Sequence, residues 1–389
     1  MALRIGFLLS HPIQYFAPIF RELAKQCDLT VFYAHRQTAE QQARAGFGVA
    51  FDWDVDLLSG YHSRFLTNVA RAPSTDRFFG CDTPEIAAEI AGGAFDGFVV
   101  PGWALLSYWQ AVRACRRARV PVFVRGDSQL VGRRGGAVRL AKGLAFRRVL
   151  RQFDGYLYVG QRNRAYLQHY GAPTDRLFFS PHCVDNDAFR TAADAARRQV
   201  RAGNGDPDRP RRLLFVGKLI ERKHPFDLLR AASQVSVPGG RIEVAFAGSG
   251  ELQETLTMAA AAAGVRAHFH GFANQSELPA IYAAADVIVL PSDAQETWGM
   301  VINEAMASGV PAVVSDTVGC GPDLVERGLT GAIFPLGDVV ALARAIEAVL
   351  AFDRDRTRRA LAERMETYSP TRAAQGIAGA TTALKSRSS

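Results

Sequence analysis

Short, nearly continuous runs of Val, Ile, Leu and Phe recur along the chain, separated by stretches with helical spacing. In the first half the runs are Arg4–Leu9, Leu29–Tyr33, Gly97–Val100, Val120–Val124, Gly155–Val159 and Leu177–Ser180. Helical spacing marks Ile13–Gln26, Pro84–Ala91, Ala104–Arg119, Gly136–Gln152 and Arg162–Tyr170. Runs that lack alternation belong to strands covered on both faces, and the intervening helices supply that cover. The pattern therefore predicts an α/β fold with doubly wound parallel sheets. Residues 36–82 break the rhythm and read as a long insertion.

A second alternating series starts at Leu213 and continues to Phe334, followed by helical stretches at Asp338–Ala351, Thr357–Glu366 and Ala373–Lys385. A chain of 389 residues exceeds one ordinary hydrophobic core, so two domains are expected. Residues 1–191 form the first, and 192–212, rich in Gly, Asn, Asp, Pro and Arg toward its end, reads as the connection. Residues 213–367 form the second, leaving 368–389 as a terminal helix.

Chemistry concentrates in Asp286–Asp316. This segment reads as a buried strand (Val287–Leu290), a polar turn, a helix beginning near Trp298 and a second strand (Ala312–Val314). Glu296 sits before the helix and Glu304 on it, with seven residues between them. Strand ends that feed helices are where open α/β sheets bind ligands, and helix N-termini favour anions. An acid beside an anion site repels phosphate unless it faces hydroxyl groups. A nucleotide sugar reconciles the two, offering diphosphate to N–H groups and cations, and hydroxyls to carboxylates.

The segment resembles the Glu-x7-Glu region of the retaining glycosyltransferases of family 4. The likeness extends through Leu213–Leu229, Ala245–Leu256, Phe269–Val287 and Gly319–Pro335, in order and at plausible spacing. It implies the GT-B fold, with two Rossmann-like domains facing a central cleft. The first domain would serve the acceptor and the second the nucleotide-sugar donor, with the last helix crossing back to the first. It implies that Glu296 contacts the donor sugar near the reacting carbon and Glu304 the ribose. Gly217, Gly248, Gly250, Phe272, Thr297, Trp298, Gly299 and Met300 would line the donor pocket. Taken alone, Phe272 reads equally well as core.

Lys218 and Lys223 flank one loop, a spacing that lets two cations converge on a diphosphate and neutralise charge on a leaving nucleotide. The family more often has Arg at the first position; lysine keeps the charge but loses the bidentate fork. An isolated lysine would read simply as a surface residue. Gly248-Ser249-Gly250 resembles the start of a dinucleotide fingerprint, but Gln253 stands where the third glycine belongs. In the first half, His11, Arg125 and Asp127 follow strands and are candidates for the acceptor side. Arg125 and Asp127 read equally as an internal ion pair, and His182 as part of a hinge turn.

The formal net charge of +8 points to an anionic partner. The excess concentrates in Arg133–Gln152, which suits either a solvated helix face or contact with anionic membrane. No nucleic-acid module is present, so nucleic acid is not expected as a partner. Five scattered cysteines without a C-x-x-C pair argue for a reducing, cytoplasmic setting, at most peripheral to the membrane. No Asp-x-Asp cluster suggests a metal-held diphosphate, so neither metal nor cofactor is expected. The activity implied is metal-independent transfer of a sugar from a nucleoside-diphosphate sugar, UDP before GDP, to a surface-glycan or lipid-linked acceptor. Rival readings are a nucleotide-sugar 2-epimerase and a non-catalytic sugar-nucleotide-binding protein.

Overall fold

The structure, a computed structural model, describes residues 2–43, 49–130, 136–202, 209–237 and 240–388. The chain divides into two compact units. One comprises Met1–Gln41, Asp56–His182 and Ser369–Ser389, the other Gln42–Val55 and Cys183–Tyr368.

The first unit holds seven strands: β1 (Arg4–Leu9), β2 (Asp28–Tyr33), β3 (His62–Phe65), β4 (Gly97–Val100), β5 (Val122–Gly126), β6 (Gly155–Tyr158) and β7 (Leu177–Phe179). They pair in the order β3-β2-β1-β4-β5-β6-β7, all parallel. The central strands are buried on both faces, as their uninterrupted apolar runs require. β3 lies inside the stretch read as an insertion. Its sequence, His-Ser-Arg-Phe, alternates exposed with half-buried positions at the sheet edge, so it carries no apolar run to betray it.

The second unit holds β8 (Arg211–Val216), β9 (Ile242–Ala247), β10 (Arg266–Gly271), β11 (Val287–Leu290), β12 (Ala312–Ser315) and β13 (Gly331–Phe334). Their order is β10-β9-β8-β11-β12-β13, again all parallel. Its core joins Leu213, Phe215, Val244, Phe246, Val289 and Val313 to the helices Pro225–Ala232 and Val339–Leu350.

The 192–212 stretch corrects the sequence reading. Asn186–Ala202 is one helix of the second unit, and β8 begins at Arg211. Phe189 and Ala193, one turn apart, are buried, and the Phe189 ring lies 6.2 Å from Tyr282. The Ala- and Arg-rich sequence is thus an amphipathic helix rather than a linker. The unit boundary falls instead after His182.

The terminal helix Pro370–Ser388 belongs to the first unit. Ser180 Oγ donates to the Ala373 carbonyl (3.1 Å), and a Cβ on Gly376 would stand 1.9 Å from the Phe179 carbonyl oxygen. Gly379, on the same helix, has open space around it. Gly379→Ala should therefore raise stability by up to about 1 kcal/mol, because helical glycine costs that much relative to alanine. Gly376→Ala should lower it instead. Denaturant unfolding of the two variants separates the cases, and a gain from both would contradict this packing.

Candidate functional site

In the second unit the chain winds one way from β8 to β9 and the other way from β11 to β12, so the strand order reverses between β8 and β11. The loops leaving the carboxyl ends of these two neighbours flank the crevice where open α/β sheets bind ligands. The first loop runs from Gly217 through a short 3-10 turn, Glu221–Lys223, to the helix Pro225–Ala232. The second runs from Pro291 to the helix Met300–Ala307. Two bonds tie them together. The Asp293 N–H donates to the Arg222 carbonyl (2.9 Å), and the Lys223 ammonium donates to the Glu296 carboxylate in an ion pair.

Lys223 is only 9% exposed, unlike the surface lysine that sequence alone would allow. Lys218 lies close enough to Arg222 and Lys223 that burial, followed by those two charges, lowers its pKa. Three cations thus crowd one loop with Glu296 as the paired acid. Such a loop is stabilised by an added anion.

Glycines set the position of this loop by permitting backbone contact. A Cβ on Gly248 would lie 2.1 Å from the Gly217 carbonyl oxygen, and one on Gly250 2.3 Å from that of Leu219. Gly217 N–H donates to Ala247 and Leu219 N–H to Ser249, each at 2.9 Å. Gly248 and Gly250 therefore brace Lys218 from behind. On the second loop, Gly319 N–H donates to the Glu296 carbonyl (3.0 Å) and Cys320 N–H to that of Trp298 (3.0 Å). A Cβ on Gly319 would collide with the Thr297 carbonyl at 1.7 Å, a constraint that went unnoticed in the sequence.

Gly299 opens the helix at φ 99°, a conformation costly for other residues. Trp298 is a core anchor, since its indole N–H donates to buried Asn303 (2.7 Å) and its ring meets Tyr368. Thr297 and Met300 beside it are half-buried.

Glu304 is 1% exposed, deeper than a residue that simply faces a pocket. It accepts from the Tyr282 hydroxyl (2.7 Å) and from the Gln275 amide (3.3 Å). Gln275 belongs to the loop after β10, which also carries Phe272. The Phe272 ring packs 4.3 Å from Phe51, and Phe51 meets Trp53 edge-on at 4.8 Å. Asn274 donates to the Asp52 carbonyl (2.9 Å), and Ser276 donates its N–H (3.2 Å) and its hydroxyl to the Asp54 carboxylate. Residues 51–54 are thus part of the second unit, fastened over the β10 loop. Sequence reasoning saw only an aromatic-rich insertion there, and missed Tyr282 and Gln275 altogether.

The first-unit candidates separate. Arg125 is 2% exposed and donates to Ser180 Oγ (3.2 Å) and the Pro181 carbonyl (2.8 Å), with its guanidinium 5.1 Å from the Phe16 ring centre. It braces the turn after β7 from inside the first unit. Asp127 stands 3.8 Å from His182. Burial lowers the His182 pKa, Arg125 adds to this, and Asp127 opposes both. His11 contacts Ser10 Oγ through Nδ1 (2.9 Å). Burial, with nearby His35 contributing, lowers its pKa to about 4.

The basic stretch of the first unit is only partly visible. Residues 131–135 lie outside the described residues, as do the side chains of 136–142. Leu150 is buried, whereas Arg147, Arg148 and Arg151 are exposed. Among the described residues no three His, Cys, Asp or Glu side chains stand together as a metal site requires.

His11 has a pH consequence. Its native pKa of about 4 lies below the ordinary value of 6.5, so the unfolded chain binds the proton first. Its contribution to stability is complete above pH 6.5 and drains away as pH falls toward 4. Melting temperature should decline over that window, and His11→Asn should flatten the decline. Parallel curves for the two proteins would refute this assignment.

Residues 196–368 match the family model of the glycosyl transferases group 1. Over 219 residues the chain is 33% identical to a GDP-mannose-dependent alpha-(1-6)-phosphatidylinositol monomannoside mannosyltransferase of Mycolicibacterium smegmatis, covering 54% of this chain and 56% of that one. Over 159 residues it is 35% identical to the sulfoquinovosyl transferase SQD2 of Arabidopsis thaliana, covering 40% and 29%. The matches thus span about half or less of these relatives' own length. The fold aligns over 98% of this chain and 100% of Anabaena HepE, solved with UDP and glucose, at a TM-score of 0.67 and 18% identity. Residues 196–368, most of the second unit, are thus similar to the group 1 glycosyl transferases, and the chain has the GT-B fold.

Proposed function

We propose that the protein is a retaining glycosyltransferase that moves a sugar from a nucleoside-diphosphate sugar to an acceptor hydroxyl. The observation that carries this reading is the meeting of Lys223 with Glu296 at the strand-order reversal, with Lys218 and Arg222 alongside. A diphosphate entering the crevice competes with Glu296 for the Lys223 ammonium. Glu296, released, faces the hydroxyls of the donor sugar. Glu304 takes a ribose hydroxyl in the place of the Gln275 amide.

As the bond from the anomeric carbon to the phosphate oxygen breaks, negative charge grows on the diphosphate, and Lys218, Lys223 and the helix opening at Gly299 stabilise it. The acceptor hydroxyl attacks the same face and gives its proton to the departing phosphate oxygen. No strong protein base is required, in keeping with the depressed pKa of His11 and the burial of Arg125. Protein cations carry the leaving group, so the reaction is metal-independent.

The donor nucleotide proposed is UDP, present in the HepE complex, against the GDP-mannose of the mycobacterial relative. The acceptor proposed is a saccharide or lipid-linked saccharide, in line with the phosphatidylinositol monomannoside named for the Mycolicibacterium relative. Among the described residues no helix is long and apolar enough to cross a membrane. Exposed Arg147, Arg148 and Arg151 supply a face for an anionic one.

Turnover of UDP-sugar with a mixed acceptor panel tests the reading. Lys223→Ala should cut the rate by on the order of 100-fold while the protein stays folded. Wild-type turnover should survive excess EDTA. Near-normal turnover in the variant, or abolition by EDTA with rescue by Mn²⁺, would overturn this division of charge.

A further inference from the structure

The amino ends of β8, β9, β10, β11 and β12 open onto a second cavity, at the opposite end of the sheet from the Lys223–Glu296 pair. Its volume is about 640 Å³. Among the described residues seven arginines line it, with His268 and two carboxylates, Asp286 and Glu243. We propose that this cavity is a binding site for a polyvalent phosphate, distinct from the crevice at the carboxyl ends of the strands.

Charge accounting leads there. Asp286, whose side chain is 6% exposed, meets Arg209 and Arg354 at 2.9 Å and Arg211 at 3.5 Å. It also accepts the Arg212 N–H (2.9 Å), so one carboxylate serves three guanidiniums and a backbone donor. Glu243 is engaged by Arg212 (2.5 Å) and His268 (3.4 Å). Arg266 and Arg358 line the cavity with no acidic partner among the described residues. The arginines also crowd one another: Arg211, Arg209 and Arg358 act with burial to lower the pKa of Arg354, against the pull of Asp286.

Like charges held this close are relieved by an anion. Guanidinium forks match phosphate oxygens two at a time, which lysines cannot do. Arg197 pairs with Asp194 (3.2 Å), so among the described residues the arginines outnumber their carboxylate partners by four, which calls for a multiply charged group rather than a single halide. The cavity has room for a pyrophosphate or for a phospholipid headgroup. Both present the same chemistry.

Calorimetry on the full chain with inorganic pyrophosphate, in EDTA, tests the site. A Lys218→Ala/Lys223→Ala background removes the cations of the other crevice. Binding should persist in it, and should weaken by roughly tenfold or more when Arg354→Gln and Arg358→Gln are added. Both arginines are exposed, and Arg209 still holds Asp286, so the fold is spared. Co-sedimentation with phosphatidylglycerol vesicles, against phosphatidylcholine alone, identifies the source. Arginine-dependent, salt-sensitive vesicle binding assigns a lipid headgroup, and pyrophosphate binding alone assigns a soluble ligand. Binding to neither, or binding unchanged by the arginine substitutions, overturns the proposal.

Discussion

The ion pair between Lys223 and Glu296 is the contact on which the second unit's chemistry depends. The loops that carry them leave neighbouring strands and then diverge, one toward β9 and the other toward β12. Nothing in strand pairing holds their tips together. The ammonium–carboxylate bond joins them there, beside a backbone bond from Asp293 to Arg222. Both side chains are largely withdrawn from water, at 11% and 15% exposure, so solvent competes little with the pair. On the proposed reading, an anion and a hydroxyl-bearing sugar together replace the pair with two better-satisfied contacts.

The rest of the unit serves to hold those two side chains. Gly248 and Gly250 let one backbone lie against the Lys218 loop, and Gly319 lets another lie against the Glu296 loop. Trp298 pins the second loop into the core through Asn303. Glu304, one helix further in, is pre-oriented by Tyr282 rather than left to solvent. Phe51, Asp52 and Asp54 fasten the β10 loop from outside.

How far the sequence could be read follows from what each feature leaves in it. β1, β4 and β11 are apolar on both faces, so their runs stand out and their bounds could be read nearly to the residue. β3 is a polar edge strand and leaves no such run. The helix Asn186–Ala202 was hidden by its arginines and by the Gly-, Asn- and Pro-rich stretch that follows. Lys223 and Glu296 were each visible, but not their bond, because 73 residues separate them and only the strand order brings them together. Arg125 looked like a site residue because it ends a strand; its burial against Ser180 and Phe16 depends on contacts that sequence spacing does not encode. The role of residues 51–54 was illegible for the same reason.

The most direct test of the account compares ligands that differ only in the diphosphate. Calorimetric affinities of UDP and of uridine should be measured for the wild-type protein and for Lys223→Ala. If Lys223 acts on the diphosphate, the variant should lose UDP affinity by roughly tenfold or more while its uridine affinity stays level. Equal losses for the two ligands would contradict the account, because Lys223 would then support the pocket as a whole and not the leaving group.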